Sequence, residues 1–356
     1  MAQMGGANPD GAPMSWMAAI QAVEPFDDLP LNPGLVAALE REAAARPLAP
    51  LRFFTPSFRA FANDELSGCG RHSFPAFSIT GGACALNCDH CQARILEPMI
   101  PAQNPENFEA TVREMVRTGG MQGFLLSGGS NRRNEVKYDR YYPVLERLKR
   151  DFPRLRIAVH TALLDAPRAR RMEAAGVDVA MMDVIGDADT IRDVYHLDRP
   201  VEDFEATLEV LCATGMAVVP HIVIGLHYGQ LRGEARALDI VARHRVAALV
   251  LVVVMPFYAP AARPFRTVPP EEAAEIFVAA RQRIHGVPVQ LGCARPAGQH
   301  KLLTDAYAVM AGFDGIAYPA EGIVALARAI GRPVEQAHAC CAVALRGLGP
   351  ARACGA

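Results

Sequence analysis

The 356-residue chain is 51% hydrophobic and carries a formal charge of −2, so it has ample apolar material for a large core and no excess of either sign. It shows no basic stripe or long charge run, which argues against nucleic acid or an anionic membrane as the main partner. Its longest apolar run, 247–256, is too short to span a bilayer. With no charged-then-apolar leader and an odd total of nine cysteines, the expectation is a cytoplasmic protein in a reducing compartment, without a disulfide framework.

Residues 1 to about 14 are rich in Gly, Ala, Pro and Met without periodicity and read as a disordered tail. A short amphipathic helix is expected at 35–45. The aromatic and basic segment 51–62 then reads as a clamp packed under the main fold, or as part of a substrate lining. From residue 74 onward β-rich apolar runs alternate with helical stretches. Strands are expected at 74–80, 123–126, 156–160, 177–183, 217–224, 248–255, 288–292 and 315–318. Helices are expected at 105–117, 142–150, 166–175, 201–214, 233–244, 270–285 and 302–311. Eight strands alternating with helices predict a parallel (β/α)8 TIM-type barrel over 66–325, flanked by an N-terminal segment 1–65 and a C-terminal extension 326–356.

In such a barrel, chemistry collects in the loops after the strands. Cys84, Cys88 and Cys91 follow the first predicted strand in a CxxxCxxC pattern, which chance would give only ~0.005 times, from roughly 350 starts and the cube of a cysteine frequency of about 0.025. Three thiolates from one loop suit a [4Fe-4S] cluster with one iron left open. Zinc is the weaker alternative, because structural zinc sites pair two CxxC units and no second CxxC is present.

Ser127-Gly128-Gly129-Ser130 follows the second strand, where glycines allow backbone to approach a ligand closely. His160 ends the third. Asp183 ends the fourth, as a carboxylate able to accept from ribose hydroxyls or, alternatively, to cap a helix or order a loop. The fifth runs through Pro220-His221-Ile222-Val223-Ile224-Gly225-Leu226, and the sixth exits through Met255-Pro256-Phe257-Tyr258. The seventh ends in Gly292-Cys293-Ala294-Arg295, which places a thiol and a guanidinium at the same mouth; Arg295 is a candidate catalytic group, as a fork for a carboxylate or an unusual cluster ligand. Cys212, on a predicted helix, reads as a small core residue. Cys69, Cys293, Cys340 and Cys341 are candidate ligands of a second, auxiliary cluster, with Cys354 as a substitute and independent buried thiols as the alternative.

The cysteine loop resembles that of the radical S-adenosylmethionine (SAM) superfamily. The resemblance implies that the open iron chelates the methionine part of SAM and that one-electron cleavage yields a 5′-deoxyadenosyl radical. His90 stands where that family usually has another aromatic residue against the adenine. Gly128 and Gly129 match the family's Gly-Gly loop for the SAM amino group, with Ser130 in place of its usual acidic residue. The strand bearing His221 and Ile224 is similar to the GxIxG-type strand whose backbone holds adenine, with the first glycine replaced.

Residues 74–91, Val194-Tyr195-His196-Leu197-Asp198, Cys293-Ala294-Arg295-Pro296 and 314–319 resemble the biotin-synthase-like branch, in particular subunits of the two-component lipoyl synthases. That likeness implies sulfur insertion into an octanoyl chain on a lipoyl carrier protein, with a companion radical SAM subunit and an electron donor such as ferredoxin or flavodoxin. The alternatives are a biotin-synthase-like radical SAM enzyme acting on another small molecule without sulfur insertion, and a non-enzymatic iron–sulfur or zinc protein.

Overall fold

The computed structural model describes residues 14–45, 48–57, 61, 63–66 and 73–343. The expected tail at its start, Cys69 and Cys354 lie outside the described residues. Eleven strands form one sheet: β1 Leu51–Phe54, β2 Ala76–Ser78, β3 Ile100–Pro101, β4 Gly123–Ser127, β5 Arg156–His160, β6 Val179–Asp183, β7 Ala217–Ile224, β8 Leu249–Val253, β9 Val289–Leu291, β10 Gly315–Ala317 and β11 Val334–Ala337. Their order is β11-β1-β10-β9-β8-β7-β6-β5-β4-β2-β3, with every pair parallel.

The helices are α1 Trp16–Gln21, α2 Pro33–Ala45, α3 Pro105–Gly119, α4 Tyr142–Asp151, α5 Ala166–Ala174, α6 Ala188–Asp193, α7 Val201–Cys212, α8 Glu234–Ala242, α9 Pro270–Arg283, α10 Gln299–Met310 and α11 Ile323–Ala329. Several start on side-chain caps: Asn104, Asp165 and Asp187 accept from backbone N–H groups of the first turns of α3, α5 and α6. Among the described residues no helix is long and apolar enough to cross a membrane.

All eight predicted barrel strands are present, as β2 and β4 to β10. The sheet is the curled parallel sheet of a TIM-type barrel, but β2 does not pair with β10. Segment 51–54, expected as part of a clamp, is a strand beside β10, and β11 from the C-terminal segment pairs with its other edge. Among the described residues the two ends of the sheet are joined by side chains rather than by a ladder. The Phe74 N–H donates to Ser57 Oγ at 2.7 Å, and Phe54, Phe74 and Tyr318 share one buried cluster.

Strand side chains alternate between two cores, as a period of two requires. Val179, Met181, Val219 and Val250 face inward with Phe54 and Tyr318, whereas Ala180, Met182, Val218 and Leu251 face the helix layer. The same alternation decides where the side chain of one expected site residue points. Ile224, expected to bind cofactor, is fully buried in the outer core, and its carbonyl accepts the Val254 N–H at 3.0 Å.

Arg295 does not face the site. Its side chain is 0% exposed and forks onto Asp305, itself 0% exposed, while its remaining N–H groups donate to the carbonyls of Gly292, Ala317 and Tyr318. A guanidinium so fully occupied pins β9, α10 and β10 together and faces neither of the cavities described below. Arg295→Met leaves the Asp305 carboxylate buried and unpaired, and is expected to lower the unfolding free energy by about 3–5 kcal/mol, read from denaturant midpoints. A loss below about 1 kcal/mol would contradict the pin.

Candidate active site

The cysteine loop leaves β2 with little regular structure of its own, so its shape is imposed by its neighbours. Ser78 Oγ donates to the Gly81 carbonyl at 2.6 Å, and the Ala83 N–H reaches the Thr80 carbonyl. From the 127–130 turn after β4, Gly129 N–H donates to Thr80 Oγ1 at 2.7 Å, while the Ser130 carbonyl accepts from Ala85 N–H at 2.9 Å and from the Cys84 thiol at 3.7 Å. A Cβ on Gly129 would stand 2.0 Å from the Ala83 carbonyl oxygen and 2.6 Å from Cys84 Cα. Glycine at 129 is therefore a condition of the two loops meeting.

Cys84, Cys88 and Cys91 are all reduced and face one cavity of about 140 Å³ together with Ser127, Gly128, Gly129 and Asp183. Burial, then the neighbouring Cys91 and Cys84, push the Cys88 thiol well above its usual value; burial raises Cys91 to about 11. Three thiolates here need a compensating cation, which is what iron supplies. Among the described residues no three His, Cys, Asp or Glu side chains are grouped to hold a single ion, whereas a cubane takes one thiolate at each of three irons.

His90 stacks on Tyr195 with centroids 4.9 Å apart and planes 26° from parallel. Burial lowers its pKa to about 4, so the ring is neutral near pH 7, and its Nδ1 is buried without a partner. The Tyr195 hydroxyl donates to Asp183 Oδ2 at 3.4 Å, and His160 Nε2 lies 3.7 Å from Asp183 Oδ1. An orphaned ring nitrogen, a carboxylate at the strand ends, a glycine turn and three thiols on one cavity form a donor set that fits an iron–sulfur cluster carrying SAM.

A second chamber of about 270 Å³ fills the inside of the curled sheet and shares His90, Cys91, Ile95, Ser127, His160 and Asp183 with the first cavity. Its walls are mostly apolar, with Met181, Val223, Val252 and Tyr318, and His160 and His221 meet edge to face at 5.4 Å. Cys293, Cys340 and Cys341 line the same chamber. Cys341 donates to the Cys340 sulfur, which lowers the Cys340 thiol and raises Cys341, and Cys293 is close enough to raise Cys341 further. Three of the four expected auxiliary cysteines thus converge on one chamber. Cys212 packs against the outer core at the end of α7, as a small core residue.

Residues 78–236 match the family model described as the radical SAM superfamily. That stretch is similar to a radical SAM superfamily domain. The match spans the cysteine loop, the Gly-Gly turn, Asp183 and the strand bearing His221. Among solved structures, methylornithine synthase (PylB) aligns over 90% of this chain and 93% of its own at 11% identity with a TM-score of 0.52. The FeFe-hydrogenase maturase HydG from Carboxydothermus hydrogenoformans aligns over 92% of this chain and 77% of its own at 15% identity, with a TM-score of 0.54. At such identities the likeness is one of fold. No curated protein sequence matches the chain.

Sequence reasoning missed four residues of this site. Tyr195 orients His90 and Asp183, and behind the cysteine loop the buried Asp89 carboxylate is hydrogen-bonded by Tyr228 and by His196 at the surface. The resemblance over 194–198 touched two of them without assigning a role.

The close approach at Gly129 is testable. Gly129→Ala is expected to force the two loops apart and to lose most of the iron retained after anaerobic reconstitution. In Gly128→Ala the added methyl meets Ile79 Cγ1 at 2.7 Å, a side-chain contact outside the cysteine loop's backbone, and more iron should be kept than in Gly129→Ala. Equal iron in the two variants would contradict this account.

Proposed function

We propose that the protein is an enzyme that cleaves SAM on a [4Fe-4S] cluster held by Cys84, Cys88 and Cys91 and directs the radical at an aliphatic carbon in the inner chamber. The observation that carries the reading is the shared wall: the cysteine cavity and the apolar chamber open on the same six residues. When bound, the cluster and SAM supply a 5′-deoxyadenosyl radical by one-electron cleavage, with an electron donor such as ferredoxin or flavodoxin.

The chain's own residues bind and orient. The Gly128–Gly129 backbone meets the amino acid end of SAM, Asp183 accepts from the ribose, and His90, held by Tyr195, offers a neutral flat ring to the adenine. The apolar inner walls exclude water from the reacting carbon.

In its finer form the proposal is sulfur insertion into an octanoyl chain on a lipoyl carrier protein, completed with a companion radical SAM subunit. Two observations support it: a chamber lined mainly by apolar side chains, and the convergence of Cys293, Cys340 and Cys341 on its wall. Those thiols would hold a second [4Fe-4S] cluster, whose sulfides are the sulfur atoms available. Anaerobically reconstituted protein is then expected to bind about eight irons per chain, and deuterium from a perdeuterated octanoyl-carrier substrate should appear in 5′-deoxyadenosine. Only about four irons would remove the sulfur-insertion reading and leave SAM cleavage standing.

A second reading, action on a polar small molecule without sulfur insertion, is favoured by His221. Its Nδ1 lies 3.1 Å from the Val219 carbonyl, so Nδ1 carries the proton and Nε2 is an acceptor for a substrate N–H or O–H. Burial keeps the ring neutral by lowering its pKa to about 4. Under this reading His221→Leu raises KM for the substrate by about tenfold or more with a smaller change in kcat. Unchanged KM would favour the plain aliphatic chain.

A further inference from the structure

Asp89 lies between Cys88 and Cys91 in sequence, yet its carboxylate faces away from the cysteine cavity and is only 2% exposed. A buried carboxylate is costly unless it is paired and hydrogen-bonded. Three side chains from three different loops supply the partners. His196, beyond α6, donates through Nε2 to Oδ1 at 3.1 Å; Tyr228, beyond β7, donates to Oδ2 at 2.9 Å; and Arg263, beyond β8, pairs with Oδ2 at 2.9 Å. The Asp89 main chain is held as well, its N–H donating to the Val194 carbonyl at 2.9 Å.

Two of these anchors are themselves fixed in unusual backbone. His196 and Tyr228 have φ of 57° and 52°, left-handed values that side-chain-bearing residues adopt rarely. The Tyr228 ring packs on Phe265 at 4.9 Å, and its hydroxyl also reaches the Asp193 carbonyl at 3.0 Å. The effect of this arrangement is local, fixing the short turn in which the Cys91 N–H meets the Cys88 carbonyl at 3.2 Å.

We propose that Asp89 is a positioning residue that preorganises Cys88 and Cys91 to receive and retain the iron–sulfur cluster, with His196, Tyr228 and Arg263 as its anchors. Asp89 acts through the two cysteines and touches neither cluster nor substrate. Without the anchors the turn samples other shapes, and two of the three ligands leave their irons more readily. The inference rests on the cluster reading proposed above.

The test uses the reconstituted, full-length protein and follows the loss of iron–sulfur absorbance under an iron chelator, beside the urea midpoint of each variant. Asp89→Asn keeps the size of the side chain and removes its charge, and is expected to speed cluster loss by about tenfold or more. Tyr228→Phe, which keeps the ring on Phe265, is expected to fall between Asp89→Asn and the parent. Urea midpoints should stay close to the parent's. Unchanged loss rates, or rates that rise only as the midpoint falls, would overturn the positioning role. Failure of the parent protein to take up iron would overturn the cluster reading and this inference together, whereas normal uptake with unchanged rates overturns this inference alone.

Discussion

Everything in the site depends on how a loop with almost no secondary structure is held in one shape. Residues 79–93 have no strand ladder, and Asn87, Gln92 and Ala93 sit at positive φ. Such a segment is stable only if its polar backbone groups are taken up by other parts of the protein. The Ser130 carbonyl takes the Ala85 N–H, the Val194 carbonyl takes the Asp89 N–H, and the 128–129 turn comes near enough that no side chain fits at Gly129. The βα loops thus build the cysteine site from outside it, and the curled sheet sets where those loops begin.

The sheet does a second thing. Its inward-facing residues leave a chamber of about 270 Å³ beneath the loops, continuous in its lining with the cysteine cavity. A reactive group generated at the cysteine cavity would therefore face a mostly apolar wall. Rigidity of this wall comes partly from Arg295 and Asp305, a fully buried pair that ties the last strands to α10. Its role is architectural, although its sequence position beside Cys293 reads as chemical.

Strand periodicity and the CxxxCxxC spacing carried a great deal: all eight barrel strands, the cysteine loop, the Gly-Gly turn and Asp183 are where the sequence expects them. What stayed hidden has physical reasons. β1 and β11 are four residues each, and the β11 sequence Val334–Ala337 is half polar, so neither has a length or pattern that separates it from a loop. Period two places His221 and Val223 inward, and so Ile222 and Ile224 outward, which a likeness to a nucleotide-binding strand obscured. Asp89, His196 and Tyr228 are far apart in sequence and meet only because three loops share one mouth. A side chain's partner, unlike its period, is not written beside it.

The central claim is that Cys84, Cys88 and Cys91 hold a cluster that cleaves SAM. The most direct measurement is release of 5′-deoxyadenosine and methionine from SAM by the anaerobically reconstituted, reduced protein, beside Cys88→Ala prepared in the same way. The account expects equimolar release by the parent protein and none above background by the variant. Release that persists in Cys88→Ala, or its absence from a parent protein shown to carry the cluster, would contradict it.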